Sequence, residues 1–385
     1  MDNIQTVFSD YLSYASQVFS ALSDPENRLF IGFLLTSLIT AYILYLRRAK
    51  GSGFREFLFP DEVWSHPTAW LDVRYFFFHS LIGKFLIFGA GTTALSAGIF
   101  SGINIAGDIG MMSAIGPENP ALRMTLAITA MIILFLVADF MSFYLHYLQH
   151  KIPLLWQFHK VHHSGEVMHP LSNFREHPVD NLTYEVVGGL VVGIIFGILI
   201  SAFGYKPTLP KIVGYSAFGL FFNAAAYSLR HSHIWLRWPG NWSKVLGSPA
   251  HHQVHHSRHP DHLDKNFAFM LPIWDVLFKT YEMPEDNRDV EYGIVGDSSE
   301  LNSCVNLYVI PFRDAYHLLK SKKTAEPLSN IESEKTKALL EKLEIDDLPT
   351  LQIYREGKLL REYKPPIDED AFLADVEYRL KNWSK

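Results

Sequence analysis

Apolar residues crowd into the first 230 positions of the chain, in runs near the roughly 20 residues that an α-helix needs to cross a bilayer. Five such segments stand out: Leu29–Leu46, a stretch within Tyr75–Ile105, Leu126–Leu148, Val186–Phe203 and Ile212–Leu229. The second is long enough for one tilted span, a broken helix or a hairpin. After Thr280 the pattern changes to that of a soluble protein. Pro311–Lys323 reads as a basic amphipathic helix and Thr324–Asn330 as a linker. Helical spacing returns over Glu332–Leu343. Leu348–Tyr354 alternates like a strand, Arg355–Lys358 is a turn, Leu359–Tyr363 is a second strand and Asp368–Trp383 closes as a helix. The expected fold is therefore mostly α: an integral membrane helical bundle of about five apolar segments, a helical cap, and a small α/β C-terminal appendage. The division expected is 1–120 for the N-terminal membrane anchor, 121–295 for a catalytic domain and 296–385 for the soluble C-terminal region.

Charge orients the bundle. Arg47, Arg48, Lys50 and Arg55 follow the first span, and only acidic charges precede it before Arg28, so the positive-inside rule places the amino terminus outside. With no basic residue ahead of the acidic positions Asp2, Asp10, Asp24 and Glu26, the start reads as a retained anchor rather than a cleavable signal. The loop Ala106–Leu122 then lies outside, and the third span returns to the cytoplasm. The short loop Gly204–Lys211 is placed outside despite Lys206 and Lys211, which weigh against it.

Histidine changes the picture most. Fifteen of the eighteen histidines lie between His146 and His262, as His146-x-x-x-His150, His159-x-x-His162-His163, His231-x-His233 and His252-x-x-His255-His256. By the topology above, all four clusters reach one membrane face. Neutral imidazole is the commonest nitrogen ligand for iron, copper and zinc. Positions 139, 143, 146 and 150 step by four, three and four, which puts Asp139, His146 and His150 on one face of a helix. Asp139 is an acid in a membrane segment and hence the candidate catalytic carboxylate, orienting an imidazole or binding metal itself. Neighbouring histidines such as His162 and His163 point about 100° apart, so each pair can feed two ions. Eight imidazoles from three clusters, with His231 as a ninth, exceed what one ion coordinates.

In this combination the chain resembles the fatty acid hydroxylase superfamily, also called the sterol desaturase family, over roughly residues 120 to 295. The resemblance rests on Asp139 with His146 and His150, on WQFHKVHHS at Trp156–Ser164, LRHSHIW at Leu229–Trp235, SPAHHQVHHS at Ser248–Ser257 and NFAFMLPIWDVLFKTY at Asn266–Tyr281. In the last stretch Phe267 and Ala268 stand where the family has Tyr-Gly, and Lys279 where it has Gly. The resemblance implies a di-iron oxygenase (zinc can substitute) with His146, His150, His159, His162, His163, His231, His252, His255 and His256 as ligands. His233 is a second ligand beside His231 or its neighbour, and His177 is a further candidate. His169, His251, His259 and His262 read as loop or interfacial histidines, and His66, His79 and His317 as unrelated. The reaction implied is O2-dependent hydroxylation or desaturation of a sterol, fatty acyl or related lipid, with ether-lipid (alkylglycerol-type) monooxygenation as the alternative.

Composition narrows the remaining classes. The net charge of −6 gives no sign of nucleic-acid binding. The single cysteine, Cys304, leaves no intrachain disulfide or thiol cluster. No Gly-x-Gly-x-x-Gly, haem-attachment or iron–sulfur pattern accompanies the histidines, so electrons are expected from an external donor protein or a reduced pterin. The multi-pass membrane is a bacterial inner membrane or the endoplasmic reticulum, with the active site cytoplasmic. A membrane metal transporter is the reading from another class. Transporters place ligands near the midplane, whereas these gather at one face. The C-terminal strand–turn–strand–helix order resembles the second half of a thioredoxin fold without its Cys-x-x-Cys, and reads as a docking appendage.

Overall fold

The computed structural model describes residues 2–324, apart from 21, 25–26, 49–50, 52, 88, 114–115, 213–214, 225–226, 286–289 and 296–297, and then 351–355 and 358–363. In chain order the helices are α1 Asp2–Phe19, α2 Ile31–Arg48, α3 Phe54–Leu58, α4 Asp61–Trp64, α5 Pro67–Phe78, α6 Lys84–Leu86, α7 Ala90–Asp108, α8 Pro120–Lys151, α9 Pro153–His163, α10 Pro178–Thr183, α11 Gly189–Phe203, α12 Ala217–Ala224, α13 Pro249–His255, α14 Ile273–Phe278 and α15 Cys304–Thr324. Single π-helical turns, His79–Gly83 and Tyr184–Gly188, join α5 to α6 and α10 to α11.

Among the described residues, three helical stretches are long and apolar enough to cross a membrane: Pro67–Asp108, Pro120–Lys151 and Pro178–Phe203. Ile31–Arg47 is a shorter apolar helix. The second apolar segment is a broken helix. Gly89 at the N-cap of α7 has φ +83, a left-handed conformation that a side chain disfavours, and the chain turns there. The fifth segment holds, among its described residues, a two-residue antiparallel pair (β1 Lys211–Ile212, β2 Tyr215–Ser216), the eight-residue α12 and a 3-10 turn at Tyr227–Leu229. At about 1.5 Å per residue α12 is about 12 Å long, well short of a bilayer.

α7 and α11 pack backbone to backbone. Gly98, Gly102, Gly193 and Gly197 are buried in the contact. A Cβ added at Gly102 would lie 2.1 Å from the Ile194 carbonyl oxygen, and one at Gly197 2.2 Å from that of Ile99. Between lipid-facing helices there is no hydrophobic gain from association. Small residues at every fourth position let the helices touch closely enough for dispersion to hold them. The outer face of α7 carries exposed Phe100 and Ile105.

α8 carries the histidines beyond this layer. Asn119 caps it, accepting from the Ala121 and Leu122 amides, and Pro120 fits the first turn, where no amide is needed. Its 32 residues make about 48 Å of helix, against about 30 Å of hydrocarbon, so one end must leave the apolar layer. α9, α13, α14 and α15 gather around the C-terminal end. The Phe140, Phe143, Tyr144 and Tyr147 face of α8 packs on Phe267, Ala268 and Trp274. The amphipathic helix expected over 311–323 starts earlier, at Cys304, and runs through Pro311. Lys160 Nζ on α9 bonds Asp314 Oδ2 at 2.6 Å and ties α15 to the cap. The two strands expected near the C terminus pair as an antiparallel hairpin, β3 Leu351–Arg355 with β4 Lys358–Tyr363. The helices expected over 332–343 and 368–383 lie outside the described residues.

Candidate metal centre

Nine histidines converge into two adjoining groups. His146, His150, His159, His163 and His255 form the first, and His162, His231, His252 and His256 the second; within each, one nitrogen per residue lies within 4.8 Å of the others. The helical spacing sorts them. α9 sends His159 and His163, one turn apart, into the first group, and His162 into the second. α13 does the reverse, sending His252 and His256 to the second group and His255 to the first. Adjacent histidines therefore part company as their angular offset requires, and each H-x-x-H-H element bridges both groups. Rings of the two groups touch across the boundary, with His163 and His256 stacked at 4.3 Å between centroids.

Local sequence fixes each carrier. Ser248 caps α13, its hydroxyl accepting from the His251 amide, and Pro249 occupies the first turn. The buried Gln253 side-chain amide donates to the carbonyls of Leu229, Ser232 and Ile234 at 3.1, 2.8 and 3.1 Å, which clamps the His231 loop onto α13. Asn266, at φ +57, bonds the Glu282 backbone in both directions and shapes the loop over the first group.

The second nitrogen of each ring sets which one is free. In the first group His146 Nδ1 faces the Phe267 carbonyl oxygen at 2.8 Å, and His255 Nδ1 that of Lys265 at 2.8 Å. A carbonyl only accepts, so both Nδ1 atoms carry the proton and both Nε2 atoms present a lone pair. His159 Nδ1 lies 3.4 Å from Asp180 Oδ2, and His150 Nδ1 3.8 Å from Asp264 Oδ1. The Nε2 atoms of His146, His150, His159, His163 and His255 are all buried without a hydrogen-bond partner. Five unpartnered acceptors aimed at one another are costly in a protein interior. A cation among them resolves the cost, so this donor set fits a metal ion.

The second group is held differently. His231 Nδ1 is 3.0 Å from Ser172 Oγ, His162 Nδ1 3.2 Å from the Arg175 carbonyl oxygen, and His252 Nδ1 3.0 Å from an Arg230 guanidinium nitrogen. His252 Nε2 stands 2.7 Å from His231 Nε2 and 3.0 Å from His256 Nε2. Two nitrogens each about 2.1 Å from one ion and at right angles lie about 3.0 Å apart, so this spacing also fits coordination. Phe267 and Trp156 pack against the rings of the first group and wall it from water. The Phe267 ring lies 5.0 Å from that of His150 and 5.5 Å from that of His255.

Burial, before any other cause, holds His159, His163, His231, His252, His255 and His256 well below the usual imidazole pKa, and crowding by neighbouring imidazoles adds to it. Burial also lowers His162, against an opposing pull from Glu176. These rings are neutral at pH 7, and those whose Nδ1 carries the proton need lose none to ligate; His252, whose Nδ1 accepts from the Arg230 guanidinium, carries its proton on Nε2. Burial brings the Arg230 guanidinium down to about 10, and it remains a cation, its charge centre 4.8 Å over the Phe269 ring.

Other candidates sit elsewhere. His233 is outside both groups; its Nε2 faces the Phe57 carbonyl oxygen at 2.8 Å, because the residue turns outward from the 231 loop. Asp139 contacts no imidazole. It accepts from the Met270 and Leu271 amides at 3.0 and 3.2 Å and from Trp274 Nε1 at 2.9 Å, which pins the 266–274 loop against α8. That places it as a clamp on the loop whose carbonyls hold His146 and His255. His177 caps α10 and meets the Tyr308 carbonyl oxygen, and His79 bonds Tyr308 and Asn181. His251 bonds Ser248, and His262 bonds Ser257. Asp180, Asp264, Arg230 and Gln253 were not singled out from sequence. Asp180 at the start of an apolar helix and Arg230 beside His231 carried a visible signal; Asp264 and Gln253 did not.

The fatty acid hydroxylase family model matches residues 131–280, the region holding all nine converging histidines. The chain is 26% identical over 164 residues to alkylglycerol monooxygenase of Caenorhabditis elegans and 29% over 160 residues to that of Homo sapiens. It is 25% identical over 160 residues to ornithine lipid hydroxylase OlsE of Rhizobium tropici. These matches take up 42–43% of this chain but only 29%, 32% and 44% of the respective relatives. No solved structure gives a significant match.

Proposed function

We propose that this chain, whose residues 131–280 belong to the fatty acid hydroxylase family, is an integral membrane oxidoreductase that uses two iron ions and dioxygen to oxidise a C–H bond of a lipid. The observation that carries the reading is the convergence of nine histidines into two adjoining groups, five of them with an unpartnered, buried Nε2. Lipid hydroxylases and monooxygenases among the relatives supply the chemical class. His146, His150, His159, His163 and His255 would hold one ion, and His162, His231, His252 and His256 the other. Zinc can occupy the same nitrogens without redox chemistry. The ions would supply what no side chain offers, the activation of dioxygen toward an unactivated C–H bond.

The chain's own residues bind, orient and exclude water. Phe267 and Lys265 carbonyls fix two tautomers, Asp180 and Asp264 set carboxyl groups beside the imidazoles, and the aromatic wall keeps the centre dry. Asp139 serves by holding the loop that carries those carbonyls. In this reading five apolar segments cross or enter the bilayer, the amino terminus lies outside, and the histidine cap of 121–295 faces the cytoplasm. Residues 1–120 anchor the chain, and 296–385 form a docking appendage. Electrons come from an external donor protein or a reduced pterin.

The substrate is a sterol, fatty acyl or related lipid. The alkylglycerol monooxygenase relatives favour a second reading, oxidation of an ether lipid, which dependence on added tetrahydropterin would single out. Lipid profiling of cells expressing the chain or its His255→Ala variant tests the function. A new oxidised lipid should appear only with the unaltered chain. Identical lipid profiles, or a product made equally by H255A, would refute it.

A further inference from the structure

The two histidine groups are supported by different parts of the chain. The second leans on a residue far outside the region that carries the histidines. Asp72, on α5, is fully buried, and so are His169 and Arg175. One Asp72 carboxylate oxygen takes the Arg175 Nε–H at 2.5 Å, and the other faces His169 Nε2 at 2.9 Å. The rest of the Arg175 fork donates to Ser164 Oγ at 3.1 Å, just past the end of α9, and to the Thr68 carbonyl at 2.9 Å.

From this anchor two arms reach the second group. In one, the Arg175 main-chain carbonyl meets His162 Nδ1 at 3.2 Å. In the other, the His169 carbonyl accepts from Ser172 Oγ at 2.8 Å, and that hydroxyl lies 3.0 Å from His231 Nδ1. A hydroxyl that donates to the His169 carbonyl has lone pairs left, so it accepts from an Nδ1–H, and His231 keeps Nε2 free for the ion. The partners of the first group's rings, Phe267, Lys265, Asp180 and Asp264, belong to other parts of the chain.

We propose that Asp72 is a positioning residue for the second ion. Through Arg175 and His169 it sets the rings of His162 and His231, and leaves the first group independent of it. This rests on the two-ion reading above. The placement explains a buried carboxylate that touches no imidazole of either group. A buried Asp–Arg pair is poor evidence of stability by itself, but it fixes a backbone carbonyl and a hydroxyl at ligand distance.

The test is ferrous iron binding to the full chain in detergent, read as ions per chain and affinity against a chelator. Cobalt-substituted absorption spectra report the sites separately. Asp72→Asn should weaken one ion by about 10- to 100-fold, as loss of a ligand's supporting partner does, and hold the other unchanged. Its cobalt spectrum should match that of His252→Ala and not that of His255→Ala. Should D72N fail to fold, Ser172→Ala makes the same test: it loses only the hydroxyl, should weaken the same ion, and should be rescued by Ser172→Thr. Two ions held with unaltered affinity in the folded variants would overturn the inference, as would equal loss of both. An unaltered chain that binds no metal would instead overturn the two-ion reading itself.

Discussion

The α7–α11 contact and the histidine centre are both tight, and they are specified in opposite ways. Between α7 and α11 the contact exists because side chains are missing: carbonyl oxygens stand where Cβ atoms of Gly98, Gly102, Gly193 and Gly197 would be. Residues on the outer faces need only be apolar. In the centre the contact exists because particular atoms are present, and rings such as His146, His231, His159 and His252 are held from the far side by a carbonyl, a hydroxyl, a carboxyl group and a guanidinium. Adding atoms should break the first region and spare the chemistry. Removing atoms should break the second and spare the fold.

The largest effect separates the two outright. His159→Ala should lower lipid turnover by a factor of 100 or more, on the order of what loss of a ligand's support already costs in affinity. Membrane insertion and helix content should be unchanged. Full turnover would break the comparison on the chemical side. Gly197→Leu should act on the other side, forcing α7 and α11 apart and destabilising by about 1–3 kcal/mol. It would be read as a lower thermal midpoint in detergent, with the iron content of the folded fraction preserved. An unchanged midpoint would mean that the helices do not meet as closely as 2.2 Å from Cβ to carbonyl requires.

Acid should distinguish the regions as well. The buried histidines titrate well below their unfolded value of about 6.5. Between those two values the unfolded chain binds more protons than the folded one. Stability of the metal-free protein is therefore full above about pH 6.5 and falls as the pH drops below it, by up to about 1.4 kcal/mol per pH unit for each such ring. Thermal midpoints of chelator-treated protein from pH 7.5 to 5 would show the fall. Gly197→Leu should shift that curve down without changing its shape. The smallest effect concerns Lys279, which ends α14 at φ +61. Lys279→Gly should raise stability by about 1 kcal/mol, because only glycine adopts that conformation without strain.

The spacing of the histidines lets neighbours such as His162 and His163 face different ions, since angular offset along a helix is a local property, but it does not say which rings gather in each group. The three long apolar helices were legible for the same reason. What escaped depends on tertiary contact. His233 stands two residues from His231 and turns away to Phe57. Asp139 shares the face of His146 and yet binds a loop 131 residues later. Asp72 precedes the first histidine cluster by dozens of positions, and nothing in its neighbourhood marks it. The segment 212–229 is apolar enough to span, but apolarity does not report that its helix is eight residues long.

The most direct measurement is the iron content of detergent-purified protein reconstituted with ferrous iron, alongside His255→Ala and His252→Ala. Two irons per chain are expected in the unaltered protein, with each variant impaired at its own site. A metal-free chain that still oxidises lipid, or a single ion that both variants abolish alike, would contradict the account.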